Sequence, residues 1–536
     1  MRRFSYIRGL IDIIFFLSDE RSDVPGSTWQ NVSKLEIRGP IFVGQTHNGD
    51  EEPKAPIVYF REIIDDGILN MIVEQSNLYS TQQNVNKPLH LTKEELEQFL
   101  GITFTMSIVK MPATRMYWAS KTRYGKVADV MTCQRFETIK RNLHFNDNAA
   151  QIQDPEHRDK LFKVQPLISR LREKVQKAPL TENICVDEQI IPFKGKSKLK
   201  TYNPKKPYHW GYKAFVCCTS NGIIRDFEFY TGQIEQARGH DDIGSSGNIV
   251  LQLMRSVPHG IWHHLFVDNW FNSPKLQIAL WKIGIKTTGT VRLNRVKNLS
   301  LPSDTAMKRE GRGSVALQKA KIDGVGLHII KWMDSKSVTL LSTGAGSHPV
   351  SEAKRFDRKI KETIYIQRPL AVTVYNTSMG GVDLLDGLIS YYRNSIRSKK
   401  WYLRIAFHLF DMMVVQAWLT YRESTNPSRA ERIPLVDFKL EIADCLMLEG
   451  KALSKKRGRP SLDGQNEPKK HKGKTTKAPS DNIRLDRVSH FPVAGCSRGR
   501  CKMPRCNGFS RTKCCKCGVH LCLTRSSNCF LAFHTE

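Results

Sequence analysis

Beginning at residue 91, LTKEELEQFLGITFTMSIV carries apolar positions at helical spacing behind Thr92 as N-cap and Glu95 three residues later, the pattern of a capped helix. VADVMTCQRFETIKRNLHF and KLFKVQPLISRLREKVQKA behave similarly, so residues 56–182 are predicted to be mostly helical. At about residue 183 the texture changes. ENICVDEQIIPF, YKAFVCCTS, IIRDFEFYTG and HHLFVDNWF are short β-branched and aromatic runs bounded by Gly, Asn and Pro, which predicts strands. SSGNIVLQLMRSV and SPKLQIALWKIG supply helices between or after them, and this alternation predicts an α/β layered core. Residues 291–368 are polar and Lys-rich, with strand pattern in GLHIIKWM and SVTLLST. YNTSMGGVDLLDGLISYY then opens a return to helices that lasts to about 450.

Two apolar stretches raise the question of a membrane. GLIDIIFFLSDE is too short to span a bilayer and is broken by Asp12. WYLRIAFHLFDMMVVQAWLTY, 401–421, is long enough, but Arg404, His408, Asp411 and Gln416 mark a core helix, so no membrane partner is expected. Residues 1–55 show turn-formers without a sustained period and read as a flexible arm. Residues 451–495 have almost no large apolar side chain and read as a basic linker.

Charge narrows the partner. The 536-residue chain has a formal net charge of +31 and a pI near 9.7, which implies a polyanion, nucleic acid before acidic membrane. About half of that excess lies in residues 451–536, with about 20 Lys/Arg against 5 Asp/Glu. YNPKKPYHWGYK interleaves Lys205, Lys206 and Lys213 with four aromatics, and RNSIRSKKWYLR supplies Arg393, Arg397, Lys399, Lys400 and Arg404; as clusters these favour DNA contact, and Arg292 of TGTVR is a further DNA-binding candidate. KKRGRP, with Arg457 and Arg459, reads either as an AT-hook core or, with PKKHKGK, as a bipartite nuclear-import signal. Both place the chain in a nucleus.

Candidate chemistry lies in three acidic positions. Asp268 ends the apolar run Leu265–Val267, Asp187 ends Ile184–Val186, and Asp383 follows a Gly-Gly turn with Asp386 three residues on. An Asp at a strand end is ordinarily a turn or capping residue. Convergence on one sheet edge would instead make a site for Mg²⁺ or Mn²⁺, suited to in-line phosphodiester displacement. Periodicity alone leaves both readings open. Trp270 and Phe271 read as packing that holds Asp268, with a base-pair wedge as the alternative.

Eight of the 13 cysteines fall in the last 41 residues. Cys501, Cys506, Cys514, Cys517, His520, Cys522, Cys529 and His534 provide ligands for two tetrahedral, structural Zn²⁺ ions, while Cys496 and Cys515 are left over.

The ordered set VDEQIIPFKG, YNPKKPYHWGYK, FVDNWFNSPKL, TGTVR and YNTSMGGVDLLD, running into YYRNSIRSKKWYLRIAFHLFD, resembles the piggyBac-type transposases over roughly residues 55–450. The first 55 residues are shorter than the long acidic arm common in that family. The resemblance implies an RNase H-like catalytic core, 183–290 and 369–392, interrupted by an insertion domain, 291–368. It implies a dimerisation and DNA-binding domain from 56–182 and 393–450, and a finger over 496–536. It assigns metal-binding aspartates to Asp187, Asp268 and Asp383, with Asp386 as a further acidic member. The implied reaction is cut-and-paste transposition by a homodimer on double-stranded DNA, joining transposon ends to TTAA targets. The competing expectation is a domesticated derivative that binds DNA or chromatin without moving it. The tail resembles the family's cross-brace fingers, and interleaving would pair Cys501, Cys506, His520 and Cys522 on one zinc and Cys514, Cys517, Cys529 and His534 on the other.

Overall fold

The strand-like runs of residues 183–290 assemble side by side into one mixed sheet. The computed structural model describes residues 28–37, 39–44, 52–152, 154, 158–204, 208–358, 360–425, 431–449 and 479–535. β1 is Gln30–Asn31, β2 Asn183–Pro192, β3 Thr201–Tyr202, β4 Trp210–Thr219, β5 Ile224–Phe229, β6 His264–Val267 and β7 Lys286–Thr290. β8 is Val315–Ile322, β9 Val325–Met333 and β10 Ser337–Ser342. The order is β1-β8-β9-β10-β7-β6-β2-β4-β3, with β5 on β4. Within it, β5-β4-β2 is an antiparallel meander and β6 and β7 run parallel to β2, the strand order of an RNase H-like core.

The two faces of this core differ. Ile184 and Val186 of β2 and Leu265 and Val267 of β6 face helices α6 (Ser245–Met254) and α7 (Pro274–Lys282), in one buried cluster with Leu253, Leu276 and Leu280. Each such side chain contributes about 1.5–3 kcal/mol on burial. Strand alternation sends Cys185, Asp187 and Gln189 to the opposite face. There lie α8 (Leu370–Ser378), α9 (Gly381–Tyr391) and α10 (Trp401–Thr425). The start of α9 presses directly on the sheet: a Cβ on Gly381 would lie 2.3 Å from the Thr219 carbonyl and 2.8 Å from Cys185 Sγ. The second glycine of MGGVD is therefore a packing requirement.

Helices α1 (Pro56–Ile63), α2 (Asp66–Gln83), α3 (Lys93–Ile108), α4 (Cys133–Asn142) and α5 (Gln165–Val175) precede the sheet. The predicted capping box at Thr92 and Glu95 is present. α3 meets α11 (Leu435–Leu448) at Gly101, where a Cβ would stand 2.7 Å from the Ala443 carbonyl. Tyr59 of α1 packs against Tyr421 and Phe438, so segments more than 300 residues apart share one helical layer. α10 is buried along most of its length, as expected for a core helix, and no helix among the described residues is long and apolar enough to cross a membrane.

One expectation needs correction and another gains detail. Residues 28–37 are not a free arm: Trp29 and Leu35 are buried, and β1 pairs with β8 through Gln30 and Asn31. Residues 291–368, expected as an insertion domain, lie between β7 and α8 and also extend the core sheet. β10 pairs with β7, so β8–β10 prolong the core sheet, and the hairpin β11 (Ser351–Asp357) with β12 (Glu362–Arg368) is a separate two-stranded sheet. Residues 28–37 lack an uninterrupted apolar run and are held by edge pairing, which local periodicity does not report.

Asn77–His90 and Lys451–Glu536 cluster as a second, smaller unit. In its Cys/His-rich part, β13 (Pro492–Arg500) pairs with β14 (Phe509–Cys514), and α12 (Cys529–Thr535) follows. Its small core is Val519, Leu521, Phe530 and Phe533 among cysteines. Residues 451–478, including Arg457 and Arg459 and the import-signal stretches, lie outside the described residues.

Candidate active site and metal centres

The pairing of β2 with β6 ends at Val186↔Val267, so the next residues on these parallel strands are Asp187 and Asp268. Alternation turns both away from the α6/α7 core. Asp268 begins a tight turn in which its Oδ1 accepts the Trp270 N–H at 2.8 Å and its carbonyl accepts Phe271 and Asn272. The turn thus fixes the carboxylate. One oxygen each from Asp187, Glu188 and Asp268 lies within 4.8 Å of the others. Glu188 is a member that sequence reasoning missed; its signal is adjacency to Asp187 at the point where β2 outruns β6.

Burial pushes the Asp268 carboxyl above its usual range, and Glu188 adds to this; the N–H groups of Trp270 and Phe271 and the charge of Lys213 oppose it. Gathered carboxylates removed from water repel one another unless a cation joins them. Hard oxygen donors at this spacing fit a divalent ion such as Mg²⁺ or Mn²⁺. The Tyr375 hydroxyl, 3.5 Å from Thr290 Oγ1, is pushed up to about 12 by burial, with Asp268 and Asp187 contributing, and stays neutral. Nothing in its local sequence marked it.

Asp383 is exposed in the first turn of α9, outside that three-residue cluster. Gly381 before it touches Cys185, and Asp386 after it accepts Gln189 Nε2 at 2.6 Å. Asp383 therefore lies along α9 between those contacts, as Asp187 lies along β2 between Cys185 and Gln189. Asp386, expected as an acidic member of the site, is instead bonded to Gln189, whose Oε1 meets His408 Nε2 at 2.7 Å. The cause is helical rise, which carries Asp386 past the carboxylates to the level of Gln189.

The aromatics behind Asp268 are packing. Trp270 stacks on Phe215 at 5.5 Å and 13°, and Phe271 is fully buried and edge-on to Trp270 at 4.8 Å. Lys213 Nζ sits 4.4 Å from the Trp270 ring centroid and 4.7 Å from that of Phe215. Arg295, unmarked in the sequence, is buried and donates to the carbonyls of Trp270 at 2.7 Å and Asn272 at 3.1 Å, bracing the turn.

Other predicted cations scatter. Arg292 is exposed, with Nε 3.4 Å from Asn269 Oδ1, and Arg397 and Lys399 are exposed on the strap between α9 and α10. Arg393 lies over the Tyr208 ring at 5.4 Å. Lys400 is not a free phosphate contact: it donates to the Arg141 carbonyl, and burial brings it down to about 8. Lys205 and Lys206 lie outside the described residues.

The finger brings its ligand atoms together in two groups, and not in the expected pairing. Cys501, Cys506, Cys522 and Cys529 form one; His490, Cys514, Cys517 and His534 form the other. Cys529 exchanges groups, and His490 replaces His520. Cys506 Sγ lies 3.7 Å from Cys529 Sγ and 4.0 Å from Cys522 Sγ, against roughly 3.8 Å for two thiolates on one tetrahedral zinc. Nδ1 of His490 is 3.4 Å from both Cys514 and Cys517, and His534 Nε2 is 3.4 Å from Cys517; roughly 3.5 Å is expected. Each imidazole is oriented through its other nitrogen: His490 Nε2 bonds Asp486 at 2.9 Å, and His534 Nδ1 bonds the Phe530 carbonyl at 2.7 Å. His520 instead packs on Gly499, where a Cβ would stand 2.3 Å from its ring. His490 escaped notice because it precedes the cysteine cluster. Cys515 is exposed, outside both groups.

An RNase H-like sheet with carboxylates at adjacent parallel strand ends defines the polynucleotide-processing class to which transposases belong. Residues 55–418 match the family model described as Transposase IS4. The chain is 33% identical over 488 residues to human PiggyBac transposable element-derived protein 3, covering 90% of this chain and 77% of that protein. It is 30% identical over 455 residues to human PiggyBac transposable element-derived protein 2, covering 84% and 72%. The fold matches the cryo-EM structure of a piggyBac transposase synaptic complex with hairpin DNA at a TM-score of 0.59 and 19% identity, over 88% of this chain and 97% of that one. The chain belongs to the piggyBac-type transposase family.

Proposed function

We propose that the chain is a divalent-metal-dependent DNA transposase that cuts and rejoins phosphodiesters at TTAA sites. The observation that carries the reading is the gathering of Asp187, Glu188 and Asp268 where β2 and β6 part; Asp383, outside that group, is added from the family resemblance and from its position on α9 between Gly381 and Asp386. Asp187, Asp268 and Asp383 would hold Mg²⁺ or Mn²⁺. Bound there, the metal would activate the attacking oxygen and stabilise the leaving one in an in-line displacement. The chain's part is orientation: the Trp270 N–H and Arg295 fix the Asp268 turn, and Gln189 anchors α9. Lys213, beside Asp268, provides positive charge for a DNA phosphate, and Arg292, Arg393, Arg397 and Lys399 extend it. Water would first release the element's 3′-hydroxyl; that hydroxyl would then displace a phosphodiester on the opposite strand, giving a hairpin.

Two structural zinc ions in the finger, a homodimer, and a nuclear location driven by residues 455–474 belong to the same proposal. A derivative that binds DNA without moving it is the competing reading, favoured by the names of the human relatives, which are element-derived proteins. The deciding experiment incubates purified full chain and Mg²⁺ with duplexes carrying candidate element ends beside TTAA. Nicks and hairpins are expected, and they should vanish in Asp268→Ala. Shifted but uncut DNA would establish the competing reading, and cleavage by Asp268→Ala would overturn the site assignment.

A further inference from the structure

Between Phe193 and Lys213 the sequence has seven lysines and no acidic residue, together with five aromatics. The fold divides those aromatics. Phe193 and Tyr212 are buried and stacked at 5.0 Å and 28°. Tyr202, Tyr208 and Trp210 are 49%, 55% and 49% exposed. Tyr202 and Trp210 are partners across the β3–β4 pairing, with ring centroids 4.8 Å apart and planes tilted by 51°, and so form one tilted aromatic platform. Cations flank it: Lys200 Nζ is 4.5 Å from the Trp210 centroid, Arg393 lies over Tyr208, and Lys194, Lys196 and Lys198 are exposed on the preceding loop.

Half-exposed aromatic rings with cations set against them fit a partner offering flat rings and phosphates together. A duplex hides its base faces, whereas an unpaired strand presents them. We propose that the β3–β4 edge with its lysine loop is a docking surface for an unpaired DNA strand, whose bases stack on Tyr202 and Trp210 while its phosphates meet the loop lysines. β4 also sets the distance. Asp187 pairs with Val216, six residues along β4 from Trp210, which is about 20 Å at roughly 3.3 Å per residue.

The inference rests on DNA being the substrate but not on cleavage. The test measures binding of the full chain to a fluorescein-labelled 12-nucleotide single strand and to its blunt duplex in the same salt. The Tyr202→Ala/Trp210→Ala double variant is expected to lose about 10-fold or more in single-strand affinity. Duplex affinity should stay within about twofold, and Trp210→Phe should retain most single-strand binding. Equal losses for both DNAs, or none for the single strand, would overturn the proposal. So would unchanged DNA binding with an altered oligomeric state, which would make the platform a protein interface. Loss of cleavage in Asp268→Ala with intact single-strand binding separates the two proposals, because stacking needs no carboxylate.

Discussion

Gln189 Nε2 donates to Asp386 Oδ1 at 2.6 Å across 197 residues of sequence, and Gln189 Oε1 is bonded to the buried His408. Three motifs, VDEQ, GGVDLLD and FHLFD, therefore meet in one chain of hydrogen bonds that ties α9 and α10 to β2. Burial holds His408 neutral. Gln189 is the member that can donate to the carboxylate and bond the imidazole at once.

Gln189→Leu leaves Asp386 and His408 without this partner, at about 1–3 kcal/mol for unmet buried groups. DNA cleavage should fall about 10-fold and need more Mg²⁺, because Asp383 rides on the same helix. An unchanged Mg²⁺ dependence of cleavage would show that the relay does not position α9.

Asp268→Asn should reduce cleavage by at least about 100-fold, the scale of removing one group that meets the developing charge. The same substitution removes a buried charge next to Glu188 and Asp187. In a chelating buffer the variant should melt higher than the parent. A lower melting point would show that the carboxylate mainly closes its turn.

Metal analysis checks the finger. The parent should carry about two zinc ions per chain, His490→Ala about one, and His520→Ala about two. A zinc loss in His520→Ala equal to that in His490→Ala would restore the sequence-based pairing. Chelation should unfold the finger, whose apolar core is small.

His144 and His264 are buried, and burial brings them from 6.5 to about 4 and about 3. Their neutral forms stabilise the fold fully above pH 6.5, because only the unfolded chain takes up the protons just below it. As pH falls from 6.5 towards 4, each removes up to about 1.4 kcal/mol per pH unit. The urea midpoint should drop between pH 7 and pH 5, and less so in His264→Gln. Equal midpoints at the two pH values would contradict the assignment.

Lys439 and Asp411 form a 2.9 Å ion pair in which both side chains are 3% exposed, and the same groups bind the Tyr392 carbonyl and the Asn394 N–H. Lys439→Met should destabilise by about 3–5 kcal/mol by stranding the carboxylate. Lys439→Met/Asp411→Leu should recover most of that loss, short of the bonds that anchor the strap. Additive losses in denaturant titrations would refute this.

Much of the fold could be read locally. The Thr92 capping box and the strand-like runs around Asp187 and Asp268 each depend on neighbours in sequence, and their periods name them. Residues 28–37 could not be read this way, because pairing with β8, hundreds of residues away, gives them their structure. In the site, Asp187 and Asp268 stood out as acids ending apolar runs. Glu188, Tyr375 and Arg295 did not, since each works through partners on other elements.

The sequence by itself determined the α/β alternation, the basic character, the two leading carboxylates and a tail rich in cysteine and histidine, the residue types that ligate zinc. These follow from residue type and short-range spacing. Tertiary structure decided which ligands share a centre, that Asp386 bonds Gln189, that Lys400 is tethered, and which aromatics of YNPKKPYHWGYK are core and which are surface. Those outcomes depend on register and helix placement between segments hundreds of residues apart, and no local pattern encodes a distance.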